Sequence, residues 1–242
     1  MPKYYRLLRE CSTLRQCTGA NITIPIGFTD LGLAIIQSCT LIQNLIQKII
    51  YVTHGSEIMK ARRTLKEFPN PKARIDFLYS YPYSEEDPVV LSSFNFARLL
   101  FLDIYELRNV LSHEVWASSN EHPETILFSS LDEQARLLTA SGRIWHVEDA
   151  TSQETLDAIL RFIHSVKLVN IADLISAKGD ADLCLWILMQ IQSILDEEDP
   201  DRKEEARQLF LRYKGTAHLF KGTIASTGSL EFNAIKSKTI NR

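Results

Sequence analysis

The chain has 242 residues, 45% hydrophobic and 24% charged, enough for one large or two small globular domains whose core needs no disulfide or metal staple. A formal net charge of −3 excludes a global basic field, so any nucleic-acid site must be local. Residues 1–113 carry 13 Lys and Arg against 10 Asp and Glu, and residues 114–242 carry 14 against 20. An anion-binding surface is therefore expected to draw on the first half.

Cys11, Cys17, Cys39 and Cys184 form no CxxC pair and have no histidine at ligand spacing, so neither a zinc site nor a disulfide framework is expected. The basic start MPKYYRLLRECSTLRQ lacks the apolar stretch of a signal peptide. Leu31–Val52 is apolar enough to raise the question of a membrane span. Its polar residues Gln37, Thr40, Asn44, Gln47 and Lys48 recur at helical spacing, opposite Leu31, Ile35, Ile42, Leu45, Ile46 and Ile49. That pattern predicts an amphipathic core helix and a reduced, cytoplasmic protein with no membrane partner.

In chain order, residues 1–27 form an N-terminal extension ending in the strand-like ANITIPIG. A helix capped by Thr29 or Asp30 runs to about Thr53, and His54-Gly55 ends it. Ser56 caps a second helix through Lys66. That helix and its continuation hold Lys60, Arg62, Arg63, Lys66, Lys72 and Arg74 against Glu57, Glu67 and Asp76. The run is either a solvated basic face or a phosphate-tracking surface, with Lys60, Arg62, Arg63 and Lys66 as candidate substrate-binding residues. Asn70-Pro71 opens a short helix through Tyr79, and YPYSEEDP is a loop.

From Pro88, at a first-turn position, a long helix runs to about His113. Residues 114–125 read as irregular, and TILFSSL with RLLTASGRIWHV as a β-hairpin at about 126–147. Thr151 and Glu154 form a capping box for a helix through about Ala177, closed by Lys178-Gly179. Helices from Asp180 to Glu197 and from about Pro200 to Tyr213 follow, and residues 214–242 are a tail. The expected fold is mainly α, one helical domain over 28–213 with a small β-hairpin insertion and extra C-terminal helices.

The long helix carries the chemistry. On its wheel Phe94, Ala97, Leu100, Phe101, Ile104, Leu107 and Leu111 make one apolar stripe, and Arg108 falls inside it, where an unpaired guanidinium is costly. Tyr105, Asn109 and His113 recur every four residues on an adjacent face. An arginine leaning toward buried territory beside an asparagine and a histidine is either a structural network or a phosphate site. Arg108 and His113 lie about 7.5 Å apart along the axis and about 140° apart around it, a poor aim at one phosphate from one helix. Two copies facing each other would supply two of each to one cleft.

Arg108-Asn109-Val110-Leu111-Ser112-His113 fits R-N-x-x-x-H, and the chain over roughly 28–177 resembles the HEPN superfamily, with Ser112-His113-Glu114 where many members read Ala-His-Gly. The resemblance implies a HEPN-like helical bundle acting as a dimeric, metal-independent endoribonuclease. It also implies a toxin–antitoxin, phage-defence or stress-response setting, with RNA as substrate and an antitoxin or regulatory protein as a further partner. Arg108, Asn109 and His113 are then catalytic, and Tyr105 and Trp116 substrate-binding, the tryptophan by stacking on a base. The ribose 2′-hydroxyl attacks the adjacent phosphorus and the 5′-oxygen leaves. An imidazole can move the proton, and the arginine fork can neutralise charge on the non-bridging oxygens. The alternatives are a catalytically silent HEPN-type module that binds RNA or protein, and a purely structural dimer.

Other features are quieter. Ser112 and His113 diverge by 100° on a helix and make no nucleophile–base pair. His122, His146, His164 and His218 have no metal spacing. With nine glycines there is no phosphate loop or dinucleotide fingerprint, and no cofactor is expected.

Overall fold

A computed structural model describes residues 3–8, 24–81, 88–118, 123–144 and 153–212. Among them are eight helices and a small antiparallel sheet, and the fold is mainly helical. The helices are α1 (Phe28–His54), α2 (Ile58–Glu67), α3 (Pro71–Ser80), α4 (Pro88–His113), α5 (Leu131–Ile144), α6 (Gln153–Ser165), α7 (Ile171–Asp196) and α8 (Pro200–Arg212). The strands are β1 (Arg6–Leu7), β2 (Val115–Ser118), β3 (Thr125–Ser129) and β4 (Lys167–Asn170). The chain divides into two compact units, residues 1–41 with 100–182 and residues 42–99 with 183–242. Helices α1, α4 and α7 contribute residues to both.

The first unit holds the sheet, in the order β1-β4-β3-β2 with every pair antiparallel. Arg6 pairs Leu168, Leu127 pairs Leu168 from the other side, and Trp116 pairs Phe128. Leu8, Leu127, Val166 and Leu168 form an apolar cluster against which Ala117 and Phe162 pack. Phe28, Trp116 and Phe128 form an aromatic group with centroids 5.3–6.3 Å apart. The first residues do more than extend the chain: Tyr4 is buried, and its hydroxyl donates to Asp180 inside α7.

Five expectations change in this unit. Residues 131–144 are helix α5, not the second arm of a hairpin. Ser130 accepts from Glu133 N at 3.1 Å, so Ser130 and Glu133 are the S-x-x-E capping signal that the weak alternation of RLLTASG concealed. The strands that pair β3 are instead β2, within the segment read as irregular, and β4. The helix expected over 151–177 is two helices separated by β4. Asn170 ends the strand and caps α7, with Asp173 N donating to its side chain at 2.8 Å and Asn170 N donating back to Asp173 at 3.1 Å. Gly179 lies inside α7, where glycine costs about 1 kcal/mol relative to alanine. Buried Ala177 and Ala181 flank it, and Lys178 pairs Asp182 across it. Residues 20–23 of ANITIPIG and 145–147 of the expected hairpin lie outside the described residues. Ile24–Gly27 form no strand but a turn, with Phe28 N bonded to Pro25 O at 3.0 Å, one residue ahead of the expected caps.

The second unit is helical. Ile42, Ile46, Ile49, Ile75, Leu78, Phe94, Ala97, Ile187, Leu188 and Ile191 are its buried core, and Cys184 Sγ donates to Ala97 O at 3.4 Å. Gly55 ends α1 with φ 53°, a left-handed value that favours glycine. Ser56 does not cap α2, which starts at Ile58 after Glu57 without a side-chain cap. Asn70 does cap α3, accepting from Ala73 N at 2.7 Å with Pro71 at the first helical position. Asp199 caps α8, accepting from Asp201 N at 2.9 Å. Helix α1 is long and apolar enough to cross a membrane by length and composition, and 44% of its most apolar window is buried inside the protein. The YPYSEEDP loop from 82 to 87 and the tail from 213 lie outside the described residues.

Candidate functional site

The site forms where α4 ends. Leu107, Val110 and Leu111 are buried and lock the phase of the last two turns. Arg108 and Asn109 are thereby half-buried, and Ser112 and His113 exposed. Glu114 N bonds to Val110 O at 3.2 Å, carrying the helical pattern one residue past His113 before β2 begins.

Arg108 Nη1 lies 3.1 Å from Asn109 Oδ1 and 3.1 Å from His113 Nε2. A guanidinium has no acceptor, so it donates both bonds, His113 accepts through Nε2 and its ring proton sits on Nδ1. Arg108 Nε is buried without a partner among the described residues. The helical-wheel argument about poor aim is therefore corrected. The backbone positions do diverge, but the long arginine side chain bends along the axis and meets the imidazole inside one chain. Convergence does not require a second copy. Arg108 also acts on α1: the Cys39 thiol is pushed up to about 12 by burial, against a smaller opposing effect of the guanidinium.

Asn109 and His113 line a cleft of about 370 Å³ together with Tyr5, Glu106, Glu114, Asp132 and Lys167. Lys167 of β4 pairs with Glu114, both mostly buried, and its ammonium lies 5.6 Å from the centre of the Tyr5 ring. The Tyr5 hydroxyl donates to Glu106. Burial pushes the Tyr5 phenol far above its usual range, and the hydrogen bond and charge of Glu106, then Glu114, push the same way. Glu114 Oε2 is buried without a partner among the described residues. Ser130, Leu131 and Asp132 bring the start of α5 to the same cleft.

The remaining candidates lie elsewhere. Tyr105 is half-buried, its ring 5.4 Å from that of Phe101. Trp116 is half-buried with its ring edge-on to Phe28 and Phe128, so it is part of the packing rather than a free stacking platform. Lys60, Arg62, Arg63 and Lys66 are exposed on α2 in the other unit, and Lys60 lies 3.6 Å from Glu57. Arg74 serves structure: its Nε donates to Phe68 O at 2.8 Å and its Nη2 to Leu65 O at 3.4 Å, satisfying carbonyls at the end of α2.

Sequence reasoning missed Tyr5, Glu106, Asp132 and Lys167. Tyr5 and Lys167 stand 162 residues apart (167 minus 5), and the β1–β4 pairing brings them together. No short-range pattern announces such a meeting. Among the described residues no group of three or more His, Cys, Asp or Glu is placed to hold a metal ion. No protein-family model, curated protein or solved structure matches the chain.

Proposed function

We propose that the chain is a HEPN-type, metal-independent endoribonuclease whose reactive groups are Arg108, Asn109 and His113. The observation that supports this reading is the convergence of all three at the end of α4, with His113 exposed on an open cleft. RNA entering the cleft draws the Arg108 fork onto the non-bridging oxygens of one phosphate, and this frees His113 Nε2. That nitrogen takes the proton of the ribose 2′-hydroxyl as the oxygen attacks phosphorus. The 5′-oxygen departs with its electron pair and takes a proton from solvent, because His113 is the one imidazole lining this cleft among the described residues. The products are a 2′,3′-cyclic phosphate and a free 5′-hydroxyl. Asn109 orients the guanidinium. DNA, lacking the 2′-hydroxyl, is not cut. The same reading places the protein in toxin–antitoxin, defence or stress-response biology.

The test is incubation of the full chain with total RNA, with and without EDTA, beside His113→Ala. Cleavage that survives EDTA and disappears in the variant supports the proposal; no cleavage by the parent, or equal cleavage by the variant, removes it. A second reading, a catalytically silent module that binds a partner, is favoured by one observation. Glu106, Glu114 and Asp132 outnumber the cleft's single lysine, and Glu114 already holds that lysine. Partner binding without RNA cleavage distinguishes it.

A further inference from the structure

We propose that the outer face of α6 is a self-association surface, on which the same helix of a second copy docks antiparallel. This inference does not depend on the ribonuclease reading.

Leu156, Ile159, Leu160 and Ile163 are 48%, 38%, 51% and 37% exposed. Their spacing puts all four within about 100° of one another on the helix. One flank of the stripe is already used, since Phe162 joins the cluster around Leu8 and Leu168, and α5 also packs against α6. Among the described residues nothing covers the stripe. Four adjacent aliphatic side chains at these exposures leave roughly 300 Å² of apolar surface in one patch, comparable to the largest patch on an ordinary monomer, which is often functional.

The stripe's pattern permits a second copy, and the charged flank beside it selects that occupant. Read from either end, the apolar positions fall at the same intervals. A two-fold axis between Ile159 and Leu160 therefore sets Leu156 on Ile163 of the second copy and Ile159 on its Leu160. One flank of the stripe carries Asp157 and His164, and a Gln153 amide donating to Asp157 Oδ1 at 2.9 Å fixes the carboxylate there. Within one helix these two residues are about 10.5 Å apart along the axis and do not pair. The same two-fold brings like flanks together. Asp157 then faces His164 of the second copy, and the pairing occurs twice. Arg161 points about 140° away from Leu156 and stays in solvent. The pairing of Asp157 with His164, on a stripe that permits the two-fold, points to one partner, a second copy of this chain. The area is below the roughly 800 Å² per partner of a standard interface, so the dimer is expected to be weak, with a dissociation constant on the order of 10 μM.

Sedimentation velocity on the full chain from about 1 to 100 μM tests this, bracketing that constant. The expected result is a monomer–dimer equilibrium in the parent. Leu160→Glu weakens it by about tenfold or more, while Leu33→Glu on α1, also at a leucine 53% exposed, leaves it unchanged. Asp157→His weakens dimerisation by bringing imidazoles together, and the double exchange Asp157→His with His164→Asp restores it. Circular dichroism melts of the single variants matching the parent keep unfolding out of the reading. A parent that stays monomeric at about 100 μM overturns the proposal. So does a dimer that Leu160→Glu leaves intact or Leu33→Glu weakens equally, or a double exchange no better than the single. A stripe covered by the chain's own residues 213–242 appears as the first of these results.

Discussion

Two histidines close two long helices of this protein, His54 at the end of α1 and His113 at the end of α4. Each sits in the last turn of its helix. His54 is 9% exposed, with Nε2 2.9 Å from Thr64 Oγ1 and the rings of Phe77 and Tyr81 about 6 Å away. His113 is exposed, held by an arginine at the edge of a cleft. Position on a helix thus does not decide what a histidine does; the surface its helix end meets does. In the second unit that surface is aromatic and closes over the ring. In the first it is a set of charged side chains drawn from α4 and the residue after it, from α5 and from β4, which leaves the ring open to the cleft.

The contrast breaks most sharply in activity. Arg108→Ala and His113→Ala are expected to lower RNA cleavage by about a thousandfold, and Arg108→Lys to keep a few per cent at most, since an ammonium cannot grip two phosphate oxygens. A His54→Gln protein that remains folded is expected to match the parent. Single-turnover assays on one labelled RNA rank the four variants. Full activity in Arg108→Lys would show that charge alone suffices.

A second expected effect is on the stability of the cleft wall. Lys167→Met leaves Glu114 with neither oxygen paired among the described residues. Breaking a pair this far buried is expected to cost about 2–3 kcal/mol by urea denaturation, after allowance for its residual exposure. The double variant Glu114→Gln with Lys167→Met recovers most of the loss. Equal stability of single and double variants would mean that the pair is screened by solvent.

The two histidines also separate in stability, more modestly. His54→Ala is expected to cost about 1–2 kcal/mol through its bond to Thr64 and its packing, and His113→Ala less than about 0.5. Burial, and then Lys60, lowers the pKa of His54 below its usual value, with Glu57 opposing. The folded chain therefore keeps the ring neutral while the unfolded chain protonates it. The stability from this group is complete above about pH 6.5 and is lost as pH falls through the lower folded pKa. Denaturation midpoints across that window, in the parent and in His54→Ala, should converge toward low pH.

The smallest effect concerns α2. Replacing Arg62, Arg63 and Lys66 by glutamine is expected to leave the fold intact, weaken RNA binding severalfold and flatten its salt dependence by up to about three counter-ions. The catalytic step at saturating RNA should change far less than the affinity. An unchanged salt slope would make this a solvated face and confine RNA contact to the other unit.

Much of the fold was legible because helices are built from contacts three and four residues apart. The polar and apolar stripes between Leu31 and Val52, Gly55 after His54, Asn70-Pro71, Pro88 and the His113 terminus each state their helix locally. The misread segments fail for an equally local reason. Ser130–Glu133 and Asn170–Asp173 are capping signals as good as the one at Asn70, but neighbouring β-like alternation and a long apolar run outweighed them. Once Ser130 starts α5, the partners of β3 have to come from elsewhere, and β2 and β4 supply them.

By itself the sequence determined the helix that carries Arg108, Asn109 and His113, and the face on which they lie, because one period of 3.6 residues fixes both. Only the tertiary structure decided that Arg108 turns along its helix to reach His113, that Trp116 is consumed by packing, and that Tyr5 and Lys167 meet the motif. These outcomes depend on side-chain rotamers and on strand pairings such as Arg6 with Leu168, which join residues 162 apart (168 minus 6). Backbone hydrogen bonds in a sheet form between any two strands of suitable pattern, so the chain names the strands but not their neighbours. The burial of a whole unit selects the pairing.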